Sequence, residues 1–199
     1  FINLTRYEHL KPNGLRARFA HESEPLIMHV SNFRNVKRVD DVVRVFAGVR
    51  EKLKCQLLLI GDGPERSNVE EMCRSLGMCE DIHFFGKSKN IEQFLVNGDL
   101  FILPSETESF GLAALEAMAA GMPVISSNTG GLPEVNEHGF SGYLCDVGDT
   151  ERMTDYALEI LSSNEKLERF KSNAREQAKK FSLKSVLPRY LELYNSLVY

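Results

Sequence analysis

From Pro25 onward, short runs of consecutive apolar residues alternate with stretches whose apolar positions recur at helical spacing. "LIMHV" (26–30) precedes a helical pattern over 38–52, "QLLLI" (56–60) one over 65–76, and "IHFF" (82–85) one over 90–97. "LFIL" (100–103) precedes one over 111–120, and "PVIS" (123–126) closes the series. Runs that are apolar on successive residues predict strands covered on both faces, and their alternation with helices predicts parallel pairing. The fold class is therefore α/β: a doubly wound, Rossmann-like parallel sheet with helices on both faces. Patterns over 149–162, 164–180 and 182–197 add a helical C-terminal tail, the last with Val186, Leu187, Tyr190, Leu191 and Tyr194 at helical spacing. Residues 1–24 are polar and turn-rich ("LKPNG", "AHESEP") without a sustained period, and read as a linker before a domain spanning 25–181. The opening "FINLTRY", which lacks an initiator Met, reads as the interior of a longer protein.

With 199 residues, 43% of them apolar and 26% charged, the chain can bury one substantial core. A formal charge of -4 offers no general attraction to nucleic acid or to anionic membranes. Cysteines 55, 73, 79 and 145 form no C-x-x-C pair, which fits reduced, cytoplasmic thiols. No apolar run approaches the roughly 20 residues of a membrane helix, and no leader-like segment opens the chain.

In open α/β sheets ligands bind beyond the carboxyl ends of the strands, so the loops there are where chemistry is sought. After the fourth strand comes "PSETESFGLAALEAMAAG" (104–121). A helix beginning at Phe110 or Gly111, after Ser109, leaves the N–H groups of Phe110, Gly111 and Leu112 free at the positive end of the helix dipole, which makes an anion site. Gly111 lets a ligand approach the backbone. That helix is apolar all round except for Glu116, and a buried carboxylate without donors costs several kcal/mol. Its donors could be a Lys or Arg, backbone amides, or the hydroxyls of a ligand. Glu108, eight residues earlier, is either a loop or capping acid or a second ligand contact. Together the two acids bracket the anion site, as a nucleotide-sugar with polyhydroxyl groups at both ends of a diphosphate would require.

The first strand runs into "HVSNFRNVKRVD", where Lys37 and Arg34 offer positive charge at the same edge, while Arg38 and Arg44 read as solvated helix residues. "GDGPE" after the second strand supplies Gly61 and Gly63 for a tight turn. It is half of a dinucleotide fingerprint, but it follows the second strand and has Arg66 at the third glycine position, which disfavours NAD. No P-loop run occurs. Gly86, Gly130 and Gly131 read as turns at strand ends, and His29 and His83 as packed strand residues. No D-x-D pair and no His or Cys cluster has metal spacing, so no metal and no cofactor are expected.

"ESFGLAALE" (108–116) has the E-x7-E spacing of the retaining glycosyltransferases of family four, enzymes of the two-domain GT-B fold, and resembles them closely. With "GDGPE", "FFG", "DLFILPSETESFGLAALEAMAAGMPVISSNTGGLPEV" and "GFSGYLCDVGD" in the family's order and spacing, the resemblance covers about 25–180. It implies the donor-binding half of a GT-B enzyme. In that role Glu108, Ser109 and the amides of Phe110, Gly111 and Leu112 would hold donor sugar and phosphate, and Glu116 would accept hydrogen bonds from the ribose. The base would lie near Gly86 and Lys87, with Asn32, Gly61 and Gly63 bordering the site. The family's G-R-x-x-x-x-K pattern places Lys37 against the leaving diphosphate; its Arg position holds Asn32, with Arg34 two residues on. "SNFRNVKRVDDVV" and "ISSNTGGLPEV" resemble the members that join N-acetylglucosamine, from UDP-N-acetylglucosamine, to L-malate at the start of bacillithiol synthesis. The resemblance further implies a small-molecule acceptor met through an N-terminal domain, on which the helix of 182–199 would pack. A homo-oligomer, a lipid or polysaccharide acceptor, and a non-catalytic nucleotide-sugar binding module stay open at this point.

Overall fold

The structure is a computed structural model and describes residues 1–197. After α1 (Thr5–Glu8) and a 3-10 turn at Leu15–Arg18, six strands alternate with five helices. They are β1 (Leu26–Ser31), α2 (Val39–Arg50), β2 (Gln56–Gly61), α3 (Arg66–Ser75), β3 (Ile82–Gly86), α4 (Glu92–Leu95), β4 (Leu100–Leu103), α5 (Leu112–Ala120), β5 (Val124–Ser127), α6 (Leu132–Val135) and β6 (Gly142–Cys145). Helices α7 (Thr150–Leu161), α8 (Asn164–Lys179) and α9 (Leu183–Leu197) end the described chain. The sheet is parallel throughout, in the order β3-β2-β1-β4-β5-β6. This is the doubly wound order, whose direction reverses between β1 and β4.

The continuous apolar runs have a direct cause in the pleat, which sends alternate residues to opposite faces. Ile27, Leu57, Leu59, Leu100 and Ile102 pack in one core with Val42, Phe46, Met153 and Ile160. Leu26, Met28, Leu58, Ile60 and Phe101 pack in a second core with Leu95, Leu115, Met118 and Ala174. Both faces of β1, β2 and β4 are covered, so both sets of side chains are predominantly apolar, and a buried polar one such as His29 has to find hydrogen-bond partners.

The sequence reading stopped at five strands, and the structure adds a sixth. β6 pairs with β5 in parallel, from Val124 opposite Gly142 to Ser127 opposite Cys145. A Cβ at Gly142 would sit 1.8 Å from the Val124 carbonyl oxygen, so only glycine starts this strand. The helix expected over 90–97 contracts to the single turn of α4. The other boundaries fall within about two residues, a spread ordinary for helix ends.

Residues 1–24 lie against the second core. Ile2, Tyr7 and Ala20 are buried in it, and the Ile2 N–H donates to the Phe181 carbonyl at 2.9 Å. Buried Asp99 ties this segment down: it accepts from the Leu26 N–H at 2.9 Å and pairs with Arg16 at 2.7 Å and Lys171 at 2.9 Å. In α9, Leu187, Tyr190, Leu191 and Tyr194 are all between 47% and 63% exposed, so its apolar face is not covered by the rest of the described chain. Among the described residues no helix is long and apolar enough to cross a membrane.

Candidate functional site

The loops after β1 and β4 meet where the strand order reverses, and the local sequence fixes both. In the β1 loop, Phe33 and Arg38 adopt left-handed conformations (φ 38° and 49°), uncommon for residues with a side chain. Phe33 is held there because its ring is fully buried and its N–H donates to Ser31 Oγ at 3.3 Å. His29 sits beneath. Its Nδ1 lies 2.8 Å from the Ile102 carbonyl, which can only accept, so Nδ1 carries the proton and Nε2 accepts from the Ser31 hydroxyl at 2.8 Å. Burial lowers the His29 pKa to about 4, which keeps the ring neutral in this role. The histidine read as a packed strand residue is therefore also the anchor of the loop.

Beyond this turn a short 3-10 segment, Asn35–Lys37, presents Lys37. The β4 loop is laced to it and to its other neighbour. The Glu106 N–H donates to the Val36 carbonyl at 2.8 Å, the Thr129 hydroxyl to the Glu106 carbonyl at 3.2 Å, and the Gly131 N–H to the Glu108 carbonyl at 2.9 Å. The Ser127 hydroxyl donates to the Ser105 carbonyl. Gly130 (φ 53°) is required here, since a Cβ would lie 1.9 Å from the Glu108 carbonyl oxygen. As a result Lys37 and Glu108 come together: Nζ lies 2.5 Å from Oε2, with the side chains 20% and 17% exposed. The Ser105 hydroxyl is a distant second donor at 3.5 Å.

Helix α5 begins at Leu112, preceded by Gly111 in the left-handed region (φ 88°). No side chain caps it, and among the described residues the N–H groups of Phe110, Gly111 and Leu112 have no hydrogen-bond acceptor. These free donors sit beside Glu108 in the chain, and Ser109 is exposed next to them. Arg34 is exposed, and its guanidinium makes no ion pair or hydrogen bond among the described residues, although its carbonyl accepts from the Lys37 N–H at 2.8 Å. Arg38 and Arg44, by contrast, are engaged: they pair with Asp41 at 2.5 and 2.7 Å, and Arg44 also with Asp40. They are ion-paired supports of α2 rather than freely solvated residues.

A cleft of about 270 Å³ brings together Asn32, Gly61, Asp62, Lys87, Ser88 and Ile91 at the ends of β1, β2 and β3. Gly86 (φ 83°) turns the chain into it. Gly61 and Gly63 have a further use: their Cβ atoms would lie 1.8 Å from the Ser31 carbonyl oxygen and 2.0 Å from that of Asn32. Their missing side chains let the β1 and β2 loops touch. A wider cleft, about 740 Å³, is lined by Phe110, Pro133, His138, Gln177, Phe181 and Tyr190 and includes none of Lys37, Glu108 or Glu116. The site is therefore placed by its charged groups and free amides, not by the volume of a depression.

Glu116 lies half-buried one turn into α5 and makes no hydrogen bond or ion pair among the described residues. Burial raises its carboxyl pKa; the Arg6 guanidinium draws it down and the Glu92 carboxylate pushes it up. Arg6 is itself held by Glu92 at 3.0 Å. Glu116 is thus not clamped by a basic side chain, and it is not among the residues lining the smaller cleft. Sequence reasoning missed Ser105, Arg6 and Glu92 around these groups, and saw in His29 only the packed residue that it also is. Their polar character at buried or loop-facing positions was a weak signal, because contacts between segments so far apart leave no local spacing. Cys55, Cys73 and Cys145 are buried, with burial pushing their thiols up to about 12, 11 and 12, as structural cysteines should be. Among the described residues no group of three or more His, Cys, Asp or Glu is placed to hold a metal ion.

A family model for glycosyl transferases of group 1 matches residues 14–177. The chain is 42% identical to the N-acetyl-alpha-D-glucosaminyl L-malate synthase of Bacillus anthracis over 174 residues, 87% of this chain and 46% of that protein. It is 35% identical to the 2-deoxystreptamine N-acetyl-D-glucosaminyltransferase of Niallia circulans over 144 residues, 71% of this chain and 37% of that one. The chain thus spans less than half the length of these curated relatives. In fold it superposes on Anabaena Alr3699/HepE, crystallised in complex with UDP and glucose, with a TM-score of 0.87 at 22% identity, over 98% of this chain and 55% of that one.

Proposed function

Because the chain belongs to the glycosyl transferases of group 1, we propose that it is the donor-binding domain of a retaining glycosyltransferase that moves N-acetylglucosamine from UDP-N-acetylglucosamine to a small acceptor, L-malate. One observation carries the reading: at the switch point of the sheet, the Lys37–Glu108 pair stands in the same loop system as the uncapped start of α5. Cation, carboxylate and free amides are the three groups that a sugar diphosphate asks for, and few other ligands ask for all three at once.

In this reading the diphosphate lies on the amides of Phe110, Gly111 and Leu112, with Lys37 and Arg34 supplying positive charge. As the glycosidic bond lengthens, charge grows on the leaving phosphate oxygens, and donors already fixed there stabilise it more than they stabilise the bound donor. Retention then depends on stabilising the leaving group, and transfer proceeds without a metal ion. Glu108 accepts hydroxyls of the sugar, Glu116 those of the ribose, and the base enters the cleft of Asn32, Gly61 and Lys87. The donor sugar and the acceptor are taken from the relatives, one of which is an N-acetyl-alpha-D-glucosaminyl L-malate synthase. Acceptor recognition belongs to the part of those relatives that this chain does not match. We place the enzyme in the cytoplasm, where the acceptor and reduced thiols would be found.

The test is an acceptor screen of the whole protein with UDP-N-acetylglucosamine, following UDP release and the glycosylated product. Product with L-malate and anomeric retention are expected. UDP binding without transfer to any acceptor would instead leave a non-catalytic nucleotide-sugar module, and transfer only to lipid or polysaccharide would overturn the acceptor assignment.

A further inference from the structure

Resting on the nucleotide-sugar reading, we propose that Glu108 is a specificity-determining residue that sets the intact nucleotide-sugar apart from the bare nucleoside diphosphate. In the structure the charge of Lys37 is already answered: Nζ is 2.5 Å from Glu108 Oε2, and both side chains are about four-fifths buried. A diphosphate entering the site has to draw Lys37 away from that carboxylate. What it leaves behind is an acid that has lost its cation and faces new negative charge, the arrangement that is most unfavourable in a partly buried setting.

Among the described residues Glu108 has no other close side-chain donor. Its carbonyl holds the Gly131 N–H at 2.9 Å, and the Gly130 backbone is packed so closely against it that a Cβ would come within 1.9 Å. The backbone at 108 is therefore fixed. The Ser105 hydroxyl, at 3.5 Å, is too far to replace an ammonium donor. Only a ligand that carries its own donors to this carboxylate restores what Lys37 gives up. A sugar on the diphosphate brings hydroxyls; a bare diphosphate brings none. The same contact works in reverse after transfer, when the departing sugar strips Glu108 of its donors. Lys37 then returns to the carboxylate and the nucleoside diphosphate is released.

The inference is tested by calorimetric titration of the chain with UDP and with UDP-N-acetylglucosamine, in the wild type and in Glu108→Gln. The amide keeps the shape but cannot hold Lys37 by charge. UDP is expected to bind about tenfold more tightly to the variant, the difference between a charge-assisted and a neutral hydrogen bond, while UDP-N-acetylglucosamine binds no more tightly. Glu108→Ala should move UDP in the same direction, and the gain should vanish in the Lys37→Ala background. If the wild type binds both ligands but Glu108→Gln binds UDP equally or more weakly, the inference is overturned while the nucleotide-sugar reading stands. Parallel loss of both ligands would mark Glu108 as merely structural. A wild type that binds neither ligand would remove the nucleotide-sugar reading and this inference with it.

Discussion

Glu116 is the one charged residue of α5, half-buried and without a donor of its own. Its folded pKa is raised by burial. The ionised form therefore destabilises the fold at pH above that value, and the penalty disappears as pH falls below the ordinary carboxylate range. Two opposite effects are expected of Glu116→Gln. The unliganded chain should melt about 2 °C higher at neutral pH, with the gap closing in acid, yet the Michaelis constant for the donor should rise more than turnover falls, because ribose contacts hold substrate and transition state alike. A lower melting temperature with unchanged donor binding would show that the acid serves the fold. Lys37 is expected to behave differently, since its partner in the reaction is charge that develops late. Lys37→Ala should lower turnover of the whole enzyme by about 10² to 10³, and near-normal turnover in a steady-state assay would remove its role. That both residues are candidates for ligand contact is readable from the sequence: an isolated acid in an apolar helix and a lysine at a strand end are local features. That Lys37 would be paired with Glu108 is not, because 71 positions separate them.

At the scale of elements, the loop after β1 is the part most dependent on something unseen in the sequence. His29 reads as core because it lies in a run of apolar strand residues. Its chain of hydrogen bonds, from the Phe33 N–H through the Ser31 hydroxyl to Nε2 and from Nδ1–H to the Ile102 carbonyl, holds the left-handed turn that delivers Lys37. Protonation of Nε2 would take away the acceptor for Ser31. The folded pKa, about 4, lies below the usual 6.5, so the unfolded chain binds the extra proton first and stability is lost as pH falls from about 6.5 towards 4. The loss should be at most about 3 kcal/mol, measured by denaturant melts across that window, and His29→Gln should flatten the slope. An unchanged slope in the variant would mean that other groups titrate. The elements themselves were largely legible, since β1 to β5 and the long helices carry strong periodicity. β6 was not: "GYLC" is four residues long, opens on glycine, and owes its place to β5 rather than to any pattern of its own. The single turn of α4 was overextended for the converse reason, polar flanks that suit a helix end as well as its interior.

For the whole molecule, the doubly wound class followed from alternation alone, while the strand order and the way the ends attach did not. Residues 1–24 look like a linker because they lack a period, yet Asp99 gathers Arg16, Lys171 and the Leu26 N–H and binds them to the body of the domain. No spacing rule reports a three-way contact of that kind. The apolar face of α9, legible as a pattern and exposed in the fold, fits our proposal that a second domain of the GT-B enzyme covers it. What the account depends on is narrower: that the edge between β1 and β4 is a cradle for a nucleotide-sugar. Calorimetric titration of the chain with UDP-N-acetylglucosamine, GDP and NAD tests it most directly. One site for UDP-N-acetylglucosamine, weak or no binding of GDP and NAD, and weaker but measurable binding in Lys37→Ala are predicted; binding of NAD, or binding of UDP-N-acetylglucosamine that survives Lys37→Ala unchanged, would contradict it.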